Sequence, residues 1–345
     1  MEALTKIAYA SIISCLVSAS CTWLLIRYLP GKFRQKSVPE FGGIAIFFGV
    51  WLGFVIAFPK LLWFSNYLFL FIASVIILVT GILDDYICLK PWQKSLGILL
   101  AANIIYFFTD IEFSSVFLPK IHPILFQMIS YGLTMIWIYF VTNAINLLDG
   151  IDGLAGSITV TSLMAMTLTT VMFSMSVRMV FLTLLLLLIM SILGFLPFNW
   201  YPAKIYLGDT GALFIGFMFA VLGVSNLKNA TFFAMVLPLF VYIVPLFDTS
   251  YAIFRRLISG NSIAHRDQEH LHHRLMKLGY SIPKSIRLMV GITVMFSLLG
   301  MSIQYFRAYR LYISVMTILI VVGLSYWMYD LGHKSKNSKN SSQDK

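Results

Sequence analysis

Carboxylates and carboxamides recur at fixed short spacings along this chain, and each group is of a type that binds phosphate-bearing ligands through a hard cation. Asp84-Asp85 follows the apolar run that ends Gly81-Ile82-Leu83. Two adjacent carboxylates at such a boundary repel each other and are tolerated when a cation or a proton lies between them. Oxygen ligands suit Mg²⁺ or Mn²⁺, and Mg²⁺ commonly takes one or two carboxylates together with substrate phosphates. Asn143, Asn146 and Asp149 step by three, so on a helix they share a face able to grip a nucleobase and ribose, with Asp152 just beyond. Gly150 and Gly153 by themselves fit an ordinary helix end. Asp209, between Gly208 and Thr210-Gly211, reads either as a helix N-cap or as a further metal ligand. Lys94 suits a phosphate as a point charge, and a lysine snorkelling to the interface is the plainer alternative.

A fifth cluster holds Arg255, Arg256, His265, His270, His272, His273 and Arg274. Zinc is the obvious rival for four histidines so close together. No cysteine and no H-E-x-x-H pattern accompanies them, and the arginines beside them favour an anion grip.

The elements that must position these groups are membrane helices. The chain is 59% hydrophobic and 11% charged, against about 25% charged in a soluble domain. The apolar runs predict an all-α, polytopic integral membrane protein with about eleven transmembrane helices of roughly 20 residues each. The expected spans are Leu4–Leu29, Gly42–Phe58, Leu61–Leu83, Ser95–Phe108, Ile124–Val141, Leu154–Phe173, Met179–Phe198, Leu213–Ser225, Thr231–Phe247, Ser285–Tyr305 and Leu311–Tyr329. The fourth and eighth are short and are expected to be tilted or broken. Residues 1–330 form one transmembrane domain in this reading, and residues 331–345 a disordered basic tail. Three scattered cysteines make no disulfide or metal framework.

The loops alternate between short ones and longer polar ones. The long ones carry most of the basic residues, among them Lys32, Arg34, Lys90, Lys94, Lys204, Arg255 and Arg256; the other side carries only Lys6, Lys60, Lys120, Arg178, Lys228, Arg307 and Arg310. The positive-inside rule makes the long loops and the tail cytoplasmic. The net charge of +11 then reflects that bias and contact with anionic headgroups, not nucleic acid. Asp84, Asp85, Asp149, Asp152 and Asp209 all fall on the cytoplasmic side. Charges near a membrane are costly and mark function, so loops far apart in sequence are expected to meet at one depth.

The set Pro39-x-x-Gly42-Gly43, Asp84-Asp85 with Lys94, Asn143-x-x-Asn146-x-x-Asp149-Gly-x-Asp152-Gly-Leu, Gly208-Asp209-x-Gly211 and Asp267-x-x-His270-x-His272-His273-Arg274 resembles the polyprenyl-phosphate N-acetylhexosamine-1-phosphate transferases. Within that superfamily it looks closer to the undecaprenyl-phosphate GlcNAc-1-phosphate branch than to the phospho-MurNAc-pentapeptide branch. The chain departs from the family pattern at Cys88, where a third acidic residue is frequent, at Ala212, where serine is usual, and in the Ser262–Arg266 run.

The resemblance implies a UDP-sugar donor, a polyprenyl phosphate acceptor, Mg²⁺ (or Mn²⁺) and a bacterial plasma membrane with the site on its cytoplasmic face; a homodimer is compatible with it. It implies Asp84, Asp85 and Asp209 as catalytic residues, with Asp85 and Asp209 on the metal. Asn143, Asn146, Asp149 and Asp152 would hold the nucleoside, and Lys94, Arg256, His270, His272 and His273 the donor phosphates. The alternative from another class is an ion-coupled transporter, which predicts acidic residues at mid-bilayer and repeated halves.

Overall fold

The computed structural model describes residues 2–29, 38–113, 122–173, 179–227, 275–276 and 278–323. Arg256, His270, His272, His273, the expected span Thr231–Phe247 and the tail 331–345 lie outside the described residues. The described residues are helical, without strands. The chain divides into two compact units, Met1–Met235 and Val236–Lys345.

The first unit contains α1 (Glu2–Tyr28), α2 (Gly42–Ala57), α3 (Ser65–Ile87), α4 (Pro91–Phe108), α5 (Pro123–Leu148), α6 (Leu154–Phe173), α7 (Met179–Asn199) and α8 (Gly208–Leu227). The second contains α9 (Ile282–Tyr305) and α10 (Arg310–Gly323). Seven described helices are long and apolar enough to cross a membrane, and α2 and α10 are shorter apolar helices. This is a multi-pass membrane protein.

The expected spans differ from the helices in ways that bear on the site. α3 continues past Leu83 to Ile87, so Asp84 and Asp85 lie within its last turn and not in a loop. α5 runs to Leu148, so Asn143 and Asn146 are helical while Asp149 is its C-cap. α4 and α8 are continuous helices of 18 and 20 residues, not broken ones. The sequence undercounted α8 because its first turn is Gly-Asp-Thr-Gly; hydropathy sees a loop where a capped helix begins.

α8 is the central helix of the first unit. Every residue from Thr210 to Val224 is buried, as expected for a helix apolar all round. It packs against α2, α3 and α5, while α1 and α7 pack on each other and on α2. Without water to satisfy them, most hydroxyls in such a bundle bond within it. Thr22, Thr80, Thr142 and Thr170 accordingly donate to the carbonyl four residues back.

Candidate active site

The site is built where α3 ends, α4 and α8 begin and α5 ends. Glycines let these elements meet. A Cβ on Gly81 would fall on the Thr210 backbone, and one on Gly43 on the backbone of Gly211. Gly208 has φ +70, a left-handed conformation, and a Cβ there would collide with the Glu40 carbonyl and lie 2.7 Å from Asp85 Oδ2. The Pro39–Gly43 segment is tied to the approach of α8: Tyr206 N donates to Pro39 O (2.8 Å), Gly42 N to Tyr206 O (3.1 Å) and Gly43 N to Leu207 O (3.2 Å).

Asp85 is the cap of α8. Its Oδ1 accepts from Asp209 N at 2.8 Å. Its Oδ2 accepts from Thr210 N at 2.8 Å and from Thr210 Oγ1 at 2.5 Å. A helix N-terminus presents unpaired N–H groups and a positive dipole end, so a carboxylate from a neighbouring helix is a strong partner. The consequence is geometric: with its backbone held, Asp209 projects from the first turn of α8 toward α4 and α5.

Asp84, one residue earlier, points elsewhere. Its Oδ1 accepts from Leu89 N at 2.8 Å, and its backbone carbonyl accepts from Cys88 N at 3.0 Å. Cys88 terminates α3 with φ 52, left-handed backbone usually reserved for glycine. The turn is tight enough that α4 starts at Pro91, in the first helical position that proline favours, with Lys90 N donating to Gln93 Oε1 at 2.8 Å. That first turn returns Lys94 to α3.

The Lys94 ammonium joins the cluster together. Its Nζ lies 2.9 Å from Asp84 Oδ2, 2.5 Å from Asp209 Oδ1 and 2.9 Å from Asn146 Oδ1. Asn146 Nδ2 also donates to Asp209 Oδ1. Lys94 and Asp84 are largely buried, whereas Asp209 keeps 32% of its side chain exposed, an opening through which a ligand can reach it.

The rest of the predicted Asn/Asp stripe divides. Asn143 donates to Tyr139 O of its own helix at 2.8 Å. Asp152 Oδ2 accepts from Ala203 N at 3.0 Å, clipping the turn before α6 to the connection between α7 and α8. Asp149 is half-buried at the end of α5. Burial first, then the charges of Asp209, Asp85, Asp152 and Glu40, push its carboxyl well above the ordinary carboxylate range. The structure therefore brings Asp84, Asp85, Lys94, Asn146 and Asp209 together, with Asp149 in their field, and uses Asn143 and Asp152 locally.

Three participants were not singled out from the sequence. Thr210 completes the grip on Asp85. Glu40 contributes its carbonyl against Gly208. Asn199, 3% exposed, accepts from Gly153 N at 3.0 Å and donates to Ile205 O at 2.9 Å, fastening both loops beside the site. For Asn199 the available signal was an Asn ending a long apolar run after Pro197.

Carboxylate oxygens from α3 and α8 and an amide oxygen from α5 already surround one cation, the ammonium of Lys94. This donor set suits a hard divalent cation. Among the described residues no three His, Cys, Asp or Glu side chains stand together as a closed metal cage. The set therefore matches a cation completed by substrate phosphates, as Mg²⁺ commonly is. The described carboxylates of the cluster sit at helix ends, whereas an ion path predicts them in the middle of the spans.

Residues 67–226, which hold all of this cluster, match the family described as Glycosyl transferase family 4. The chain is 36% identical to a probable undecaprenyl-phosphate N-acetylglucosaminyl 1-phosphate transferase of Bacillus subtilis, over 84% of this chain and 79% of the relative. It is 30% identical to a decaprenyl-phosphate N-acetylglucosaminephosphotransferase of Mycobacterium leprae, over 74% of this chain and 71% of the relative. An undecaprenyl-phosphate alpha-N-acetylglucosaminyl 1-phosphate transferase of Thermotoga maritima is 27% identical over 92% of this chain and 94% of its own length. With glycine-permitted helix contacts, a capped Asp209 and a shared cation at one end of the bundle, the chain belongs to glycosyl transferase family 4.

Proposed function

We propose that this protein transfers GlcNAc-1-phosphate from UDP-GlcNAc to a polyprenyl phosphate in a bacterial plasma membrane. The observation that carries the reading is the meeting of Asp84, Lys94, Asn146 and Asp209 around one cation position. The relatives' names support the donor sugar and the lipid acceptor. Lys90, Lys94 and Lys204 at this end of the bundle support a cytoplasmic face under the positive-inside rule.

In the reaction an acceptor phosphate oxygen attacks the β-phosphorus of the donor. The bond from that phosphorus to the bridging oxygen breaks, and UMP leaves with the oxygen. Two anions must meet, so charge neutralisation dominates the barrier. A bound Mg²⁺ supplies that neutralisation at the diphosphate. Asp209 and Asp84 would hold it, because their oxygens face the shared cation position. Asp85 stands one step back: three of its roughly four acceptor sites are taken by α8. Its work is to fix the turn that aims Asp209. Asp84 orients the acceptor; a phosphate monoester, with its second pKa near about 6, is already mostly dianionic at neutral pH and needs no strong base. Asn146 would lend its amide oxygen to the same cation position, and Asp149, beside the cluster at the end of α5, would meet the nucleotide.

The test is direct. Detergent-purified protein is incubated with undecaprenyl phosphate, Mg²⁺ and either UDP-GlcNAc or UDP-MurNAc-pentapeptide. Release of UMP with formation of a GlcNAc-diphosphate lipid is expected from the first donor. Turnover of the second donor alone, or none with either, removes the assignment.

A further inference from the structure

An ammonium group has three N–H donors, and Lys94 spends all of them inside the protein. They go to Asp84 on α3, Asn146 on α5 and Asp209 on α8, at 2.9, 2.9 and 2.5 Å. In this state Lys94 has no donor left for a phosphate. Its nitrogen also sits where a divalent cation shared by Asp84 and Asp209 would have to be, since such an ion takes its oxygens at about 2.1 Å. One oxygen cage cannot hold both cations at that spacing.

Resting on the function proposed above, we infer that Lys94 is a resident cation that exchanges with the divalent ion. The ammonium fills the cage in the ligand-free protein. When the divalent ion enters, the ammonium swings out, and the anion it then meets is the diphosphate of the donor. Two carboxylates and an amide oxygen around a single lysine make an empty cage costly, so the ammonium keeps the ligand-free site intact. The same contacts make divalent binding weak on its own and strong once a diphosphate is present to receive the released lysine. Because linkage is reciprocal, the diphosphate also binds better with the ion than without it. Lys94 is thus the element coupling the two ligands.

The probe is Mn²⁺, titrated by electron paramagnetic resonance against detergent-purified protein without nucleotide. Lys94→Gln is expected to bind Mn²⁺ at least about tenfold more tightly than the unaltered protein, because the competing cation is gone. Lys90→Gln removes an exposed charge just before the same helix and outside the cage, and should shift affinity less than about threefold at about 0.15 M salt. Unchanged or weaker binding by Lys94→Gln overturns the exchange, and so does an equal gain in Lys90→Gln, which would make the effect one of charge at a distance.

A second measurement needs no variant and covers failure of Lys94→Gln to fold. Brief acetylation of the unaltered protein, read by mass spectrometry, should label Lys94 more slowly than Lys90. Mg²⁺ without nucleotide should then speed Lys94 alone by about threefold or more as its contacts are broken. An unaltered rate overturns the inference. UMP release is scored separately: turnover without Mn²⁺ competition leaves the function standing and sinks the exchange, and competition without turnover does the reverse.

Discussion

Two helix seams in the first unit use the same device and reach opposite ends. In the seam of α1, α2 and α7, Ser14 Oγ pairs with Ser191 Oγ at 2.6 Å and donates to Leu187 O at 3.1 Å, and Ser18 Oγ donates to Ser191 O at 2.7 Å. A Cβ on Gly49 would come within 2.6 Å of Ser191 Oγ, and one on Gly194 would strike the Cys15 carbonyl. In the seam of α2, α3 and α8, Gly43, Gly81 and Gly211 allow the same close approach. The first seam closes on itself with neutral groups that satisfy one another. The second carries Asp84, Asp85 and Asp209 at its end, where Lys94 contacts Asp84 and Asp209, and it ends with carboxylate in excess. Small residues bring membrane helices together in both cases; the unbalanced charge distinguishes a site from a joint.

The largest expected effect comes from removing charge at the second seam. Asp209→Asn should lower UMP release by about 10²–10³ or more with the protein still folded by size-exclusion profile and thermal melt. Normal turnover in that variant would end its assignment to the cation.

The seams themselves can be set against each other with matched glycine changes. Gly81→Ala and Gly194→Ala should each cost about 1–3 kcal/mol of stability through overpacking, read as a lower melting temperature. Only Gly81→Ala should also reduce turnover per folded molecule, because it pushes α3 off Thr210 and so moves the residue that Asp85 aims. Equal turnover in the two variants would erase the distinction.

A smaller effect concerns pH. The Asp149 carboxyl is held well above its ordinary range by burial and by neighbouring charges. The folded protein therefore keeps a proton that the unfolded chain releases above about pH 4. The stability this provides is present below that pH and is lost as pH rises toward the raised value. With chelator present, the melting temperature of the unaltered protein should fall more steeply from pH 5 upward than that of Asp149→Asn. Parallel curves would contradict the burial argument.

The smallest change is expected from Ser14→Ala, about 0.6 kcal/mol in line with interhelical hydrogen bonds measured in membranes. Turnover per folded molecule should be unaltered, since the first seam touches no reacting group.

Much of this was legible in the sequence for identifiable reasons. Apolar runs of membrane length predicted helices, and α1, α2, α6 and α7 begin and end within a residue or two of the expected spans. The motif residues announced themselves because charge near a bilayer is rare. The ends of α3, α5 and α8 were misplaced because polar residues there read as loop, whereas in the structure they are helical turns whose polar groups find partners on other helices.

Residue types and their order thus settled that this chain spans a membrane with helices and carries its acids in a few end turns. They did not settle which acid does what. Asp84 and Asp85 are neighbours of identical chemistry, yet one meets Lys94 and the other caps a helix 124 residues away. Successive helical residues point about 100° apart, so the partner each finds depends on which helix stands on which side. That choice is made by packing, where Gly81 and Gly43 admit α8, and no pattern along the chain encodes it locally.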